Sequence, residues 1–232
     1  MPTDIPLGRE ARTLPGVDLL WSGRVPDHIA DVLAQRHILD RDESTRLAAF
    51  VRDADRDSYA VAHVMLRRLL GERLGQAPDA VTLSREPCAH CGGPHGRPVV
   101  PGSPVHFSLS HTSGLVMIAL ATALVGIDVE GVPGDPGIVA DVASQLHPKE
   151  RAHLAALPTE DRAIAFARCW TRKEALLKAT GVGLNEGLAL TYVGAGPQPA
   201  VNADWLLADL PADPGYTAAV AVHRTMSAPA SQ

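Results

Sequence analysis

Apolar residues in the first third of the chain recur at helical spacing. A helix is predicted over about Asp27 to Leu39. A second runs from about Ser44 to Leu74, in one or two pieces, with Leu47, Phe50, Val51, Val61, Val64, Met65 and Leu69 forming its apolar side. Gly75 to Pro78 ends it. The period then shortens. Val81 to Leu83 reads as a short strand. From Val105 to Ser110 the pattern alternates, with Val105, Phe107 and Leu109 on one side and His106, Ser108 and Ser110 on the other, as on a half-buried strand. Ser113-Gly114 supplies a turn into Leu115–Ala121, a buried partner strand. Val125 to Val129 alternates again. Upstream of Val25 the chain is predicted irregular, apart from a short apolar segment from Val17 to Trp21.

Val132 to Gly137 is rich in proline and glycine and marks a seam. Beyond it, helices are predicted over about Ile138–Leu146, Pro148–Ala156 and Thr159–Thr180, the last ended by Gly181 and Gly183. Strands are predicted over Leu188–Val193, Trp205–Leu207 and Tyr216–His223, and disorder after Arg224. Helices followed by antiparallel strands occur twice, which is an α+β pattern.

Composition narrows the functional classes. The chain has 232 residues, is 46% hydrophobic and carries a formal net charge of −5, so it can bury a core and lacks the basic balance of a nucleic-acid binder. No segment reads as membrane-spanning; the longest apolar run, near Leu115 to Ile127, reads as strands. Met1 to Glu10 has no apolar signal core, and three cysteines argue against a disulfide framework, so the cytoplasm is the expected location. Lysine occurs only at Lys149, Lys173 and Lys178; every other basic position is arginine or histidine. A lysine is therefore mildly informative here.

Four constellations could carry chemistry. In Gly126-Ile127-Asp128-Val129-Glu130 the two acids share a strand face, roughly 7 Å apart by strand rise, which suits a hard divalent cation; a solvated acidic face is the alternative. In the helix around Trp170-Thr171-Arg172-Lys173-Glu174, residues Phe166, Trp170, Glu174 and Lys178 form one stripe, either an oriented polar pair beside aromatics or an ordinary surface ion pair. Ser110 and His111 end a strand at a turn, where a phosphate or nucleotide contact is more plausible than a hydrolase dyad, because no G-x-S-x-G elbow is present; capping the turn is the alternative. Cys88-Ala89-His90-Cys91 followed by His95 resembles half of a zinc site but lacks a clear full ligand set. We read that loop as structural and metal-free, with Gly96-Arg97-Pro98 aiming Arg97 at an anion. No Walker A loop or Rossmann fingerprint is present, so basic side chains would have to hold any nucleotide phosphates.

Taken in order, Gly126-Ile127-Asp128 and Trp170-Thr171-Arg172-Lys173-Glu174-Ala175 with Lys178 resemble the 4′-phosphopantetheinyl transferase superfamily, specifically its large, pseudo-dimeric Sfp-like type. Gly96-Arg97-Pro98, the segment Phe107 to Thr112, Asp213-Pro214-Gly215-Tyr216, and Arg46 with Phe50 and Arg67 fit the same pattern, from about Trp21 to His223. The resemblance implies two similar packed halves, 1–124 and 125–232, each with helices and a small antiparallel sheet, and an active site in the cleft between them. It implies Mg2+ held by Asp128, Glu130 and Glu174, with Lys178 on the pyrophosphate of coenzyme A, and Arg46, Arg97, Ser110 and His111 around its 3′-phosphate and adenosine. Glu174, or a water it orients, would be the base, with Asp128 and Lys178 completing the catalytic set. The implied partner is an apo acyl or peptidyl carrier protein of fatty-acid, polyketide or nonribosomal peptide synthesis, with no nucleic acid and no membrane, and the enzyme is expected to be a monomer. Departures are arginine at 46 and 97, where the family often has lysine, and serine at 108, where it often has asparagine.

Overall fold

The computed structural model describes residues 14–88, 92–93, 96–112, 114–182 and 188–224. The Cys91, His90 and His95 positions of the Cys/His loop, the Ser113 turn position, Gly183 and the tail after Arg224 lie outside the described residues.

The chain opens with strand β1 (Leu19–Arg24), helix α1 (Val25–Ala34), a 3-10 turn over Arg36–Ile38, α2 (Arg41–Ala48) and α3 (Asp53–Leu74). Asp40 begins α2 through a reciprocal capping box with Glu43; α2 stops at Ala48 and α3 starts at Asp53, so the long helical pattern is two pieces. Gly75 ends α3 in the left-handed region at φ 68°, where a side chain would be strained. Short strands β2 (Ser84–Arg85) and β3 (Pro98–Val99) pair across the Cys/His loop; the strand expected over Val81–Leu83 is displaced to these residues by a 3-10 turn at Pro78–Ala80. Then come β4 (His106–Thr112), β5 (Leu115–Ala121), β6 (Val125–Gly131), α4 (Pro136–Ala143), α5 (Pro148–Ala156), α6 (Thr159–Thr180), β7 (Trp205–Leu210) and β8 (Tyr216–His223).

The strands form two three-stranded antiparallel sheets, ordered β1-β5-β4 and β6-β8-β7. β1 was expected to be irregular. It is a full edge strand whose Leu19 to Arg24 pair with Leu120 to Leu115, because β5 has a free side that needs covering.

Alternation along the strands sorts the core into layers. On β5, Val116, Ile118 and Leu120 pack with α3 residues Val61, Met65 and Leu69, while Leu115, Met117 and Ala119 pack with Val125, Ile127 and Val129 of β6 and Val220 and Val222 of β8. On β8, Ala219 and Ala221 face the opposite way, into a third cluster with Phe166, Ala175, Leu176 and Ala179 of α6. The order is thus helix, sheet, sheet, helix, and β5 is buried throughout because both its faces are covered. Since Val125, Ile127 and Val129 point at the first sheet, Gly126, Asp128 and Glu130 must point at α6.

Residues Leu188–Val193 do not form the expected strand. Their backbone is taken up by buried side chains: Lys173 Nζ donates to the Thr191 carbonyl, and Glu150 Oε1 accepts from the N–H groups of Val193 and Gly194 at 2.8 and 3.1 Å.

Candidate active site

Gly126 sets the distance between β6 and α6. A Cβ there would lie 2.5 Å from Ala179 N and closer still to Ala175 O, so only glycine lets the strand rest on the helix backbone. Asp128 and Glu130 of β6 thereby meet Glu174 and Lys178 of α6, while β4 adds Ser110. The stripe read from the sequence is present: the Phe166 and Trp170 rings stack at 6.0 Å between centroids. The expected Glu174–Lys178 pairing is replaced by another. Lys178 Nζ donates to Asp128 Oδ1 at 2.7 Å, to Ser110 Oγ at 3.0 Å and to the Ile127 carbonyl at 3.3 Å. Ser110 Oγ in turn donates to Asp128 Oδ1 at 2.8 Å.

Negative charge exceeds positive charge here. Three carboxylates face one ammonium. Asp128 is only 2% exposed, and its second oxygen, Oδ2, is buried without a hydrogen-bond partner among the described residues. Burial, then Asp128, raises the pKa of Glu174 to about 7, with Lys178 opposing and Glu130 adding to the rise. Glu130 is also raised, first by burial and then by Asp128, while Lys178 and hydrogen bonds from Thr112 and Trp170 act the other way. Asp128 Oδ2, Glu130 and Glu174 together offer oxygen donors, the type that fits a hard divalent cation. As placed, no three His, Cys, Asp or Glu side chains among the described residues already form a metal-binding cluster.

Glu174 and Lys178 also line a groove of about 930 Å³. The same groove is lined by Arg46, Tyr59 and His63 of α2 and α3 and by Ser108 and His111 of β4. The Arg46 guanidinium lies over the Tyr59 ring at 5.8 Å, and His63 stacks on the same ring at 3.9 Å. His63 Nδ1 is 2.8 Å from Glu43 Oε1. The His111 pKa is lowered, mainly by burial and then by His63, Lys178 and Arg46, so it is held toward its neutral form. Arg46 offers a cation for an anion, and the Tyr59 and His111 rings offer faces for a flat group, with the acids Asp40, Asp42 and Glu43 lining the same groove.

Sequence reasoning missed Tyr59 and His63. Their signal was present as the spacing of Tyr59, His63 and Arg67 on one face of α3. Arg67 itself is structural: 1% exposed, it donates to Asp40, to Glu43 and to the Val81 carbonyl. Arg97 lines the groove but is largely engaged, donating to the Ala179 carbonyl at 2.9 Å and to Glu86 at 2.8 Å, while its Nε is buried without a partner among the described residues. Ser110 does not line the groove.

Comparison with known proteins shows the family. A family model described as the 4′-phosphopantetheinyl transferase superfamily matches residues 124–221, the segment holding Asp128, Glu130, Glu174 and Lys178. The chain is 31% identical over 192 residues to the 4′-phosphopantetheinyl transferase HetI of Nostoc sp., covering 79% of this chain and 78% of that protein. It is 32% identical over 142 residues to the 4′-phosphopantetheinyl transferase psf-1 of Bacillus pumilus, covering 60% of this chain and 56% of that protein. A 4′-phosphopantetheinyl transferase of Bacillus subtilis is 29% identical over 123 residues, 51% of this chain and 54% of that protein. The two Bacillus matches thus span little more than half of those relatives' length. The chain belongs to the 4′-phosphopantetheinyl transferase superfamily. Among the described residues no helix is long and apolar enough to cross a membrane.

Proposed function

We propose that the protein transfers the 4′-phosphopantetheine arm of coenzyme A to a serine of an apo acyl or peptidyl carrier protein and releases 3′,5′-ADP. In this reading residues 1–124 and 125–232 act as two halves, and the groove between α3 and α6 is the coenzyme A cleft. The observation that carries it is the surplus of carboxylate around Lys178, in a groove that Arg46, Tyr59 and His111 also line. Phosphates need cations, and this groove offers Arg46 and Lys178.

Asp128, Glu130 and Glu174 are the residues that would hold Mg2+, which would neutralise charge on the pyrophosphate. Arg46, His111 and Arg97 would surround the 3′-phosphate and adenosine. The carrier serine oxygen attacks the β-phosphorus, and the bond from that phosphorus to the bridging oxygen breaks. Glu174, or a water it orients, takes the serine proton. Lys178, already aimed at the site by Asp128 and Ser110, stabilises the phosphate that leaves as 3′,5′-ADP. The monomer is the expected working unit, since both walls of the groove come from one chain.

The test is to incubate the protein with coenzyme A, Mg2+ and an apo carrier, and to weigh the intact carrier by mass spectrometry. A phosphopantetheine mass gain, absent when the carrier serine is alanine and when EDTA is added, is the expected result. Consumption of coenzyme A with no mass gain on the carrier would remove the transferase reading.

A further inference from the structure

Family resemblance assigns Ser110 to the phosphates of coenzyme A, and its chemistry in this fold does not allow that easily. A serine hydroxyl has one proton to donate and two lone pairs. That proton goes to Asp128 Oδ1 at 2.8 Å, and one lone pair receives Lys178 Nζ at 3.0 Å. Phosphate oxygens only accept, so Ser110 could bind one only by releasing Asp128. The residue is also 6% exposed and lies beneath the groove rather than along it, unlike its neighbours Ser108, Leu109 and His111.

We infer that Ser110 is a positioning residue: it clamps Asp128 Oδ1 and Lys178 Nζ together and so leaves Asp128 Oδ2 as the free oxygen of the site. Asp128 Oδ1 accepts from both Ser110 and Lys178, while Oδ2 has no partner among the described residues. A carboxylate can rotate about its last bond over a broad range. Two donors converging on one oxygen remove that freedom and decide which oxygen is presented. Ser110 is suited to the task because β4 and β6 belong to different sheets, so no ladder fixes one strand against the other. Side chains must do it, and Ser108 contributes by accepting from Ile127 N–H at 3.0 Å.

This inference rests on the proposed transfer reaction. Its test compares coenzyme A with 3′-dephospho-coenzyme A as donors for wild type, Ser110→Ala, Ser110→Thr and Arg46→Ala. Ser110→Ala should lower kcat by roughly 10- to 100-fold with both donors alike, with KM little changed. Ser110→Thr, which keeps the hydroxyl on a residue that strands favour, should recover most of that loss. Arg46→Ala should instead raise KM for coenzyme A and erase the preference for the 3′-phosphate. Binding is read separately, by calorimetry with coenzyme A in EDTA: Ser110→Ala should bind within about twofold of wild type, whereas a true phosphate ligand would lose roughly tenfold, as removal of a charge-assisted hydrogen bond does. Loss of donor discrimination in Ser110→Ala, or that tenfold weakening, overturns the inference. A wild-type protein that binds coenzyme A but transfers nothing would strike the proposed reaction, while the binding comparison would still judge Ser110.

Discussion

Helix α6 holds two lysine–carboxylate pairs, five residues apart, that have been built to opposite ends. Lys173 and Glu150 are both wholly buried, and their charged atoms are 2.7 Å apart. Every other lone pair of consequence on Glu150 is occupied: Oε1 accepts from Val193 and Gly194, and Oε2 from His147 N–H at 3.2 Å. Lys178 and Asp128 are equally close at 2.7 Å, yet Lys178 is a third exposed, Asp128 keeps an empty oxygen, and Glu130 and Glu174 add two further acids. The first pair is charge-balanced and saturated, so it can only hold structure. The second is neither, so it has capacity left for a ligand. Burial separates the two lysines but not the two acids, Glu150 and Asp128; the count of donors against acceptors separates both.

The comparison can be broken most severely at Lys173. Lys173→Ala leaves Glu150 buried without its countercharge and should cost about 3–5 kcal/mol of stability. Chemical denaturation measures this, and a midpoint equal to wild type would show that the saturated pair is not what fixes α6. Asp128→Ala should do the converse. Transfer to an apo carrier should fall roughly 10²- to 10³-fold. The metal-free thermal midpoint should stay level or rise, because one of three mutually repelling acids is gone. Wild-type turnover in Asp128→Ala would dissolve the site assignment.

A finer test uses pH. The folded-state pKa of Glu174 is about 7, above its ordinary value of 4.5, so between these values the folded protein binds more protons than the unfolded chain. Stability of the metal-free protein should therefore fall as pH rises through that window, and level off above it. Glu174→Gln should flatten this part of the slope. Thermal melts in EDTA from about pH 5 to about pH 8 decide it, and a wild-type midpoint that climbs across the window through a slope Glu174→Gln abolishes would reverse the sign of the argument.

The saturated pair was illegible in the sequence, and the open one was not. Asp128 with Glu130 follows from the period of a strand, and Glu174 with Lys178 from the period of a helix, so each half of the site is local. Lys173 looks no different from Lys178 in the sequence; its partner Glu150 lies on another helix and its carbonyl contact at Thr191 in a loop. For the same reason Leu188–Val193 resembled a strand, since nothing local reveals that buried side chains occupy its backbone. β1 was missed because its need to pair comes from β5, roughly a hundred residues downstream, and not from its own short pattern. The pairing of Lys178 with Asp128 rather than Glu174 likewise depends on how closely β6 approaches α6.

That approach gives Gly126 a weight out of proportion to its size. In a collection of random variants, position 126 should score among the catalytic residues although it carries no reactive atom. Even a methyl group there would have to displace the backbone of Ala175 or Ala179 and part the strand from the helix. The distance between acid and lysine is held by a missing side chain, so inherited variation at this glycine should be weighed as active-site variation.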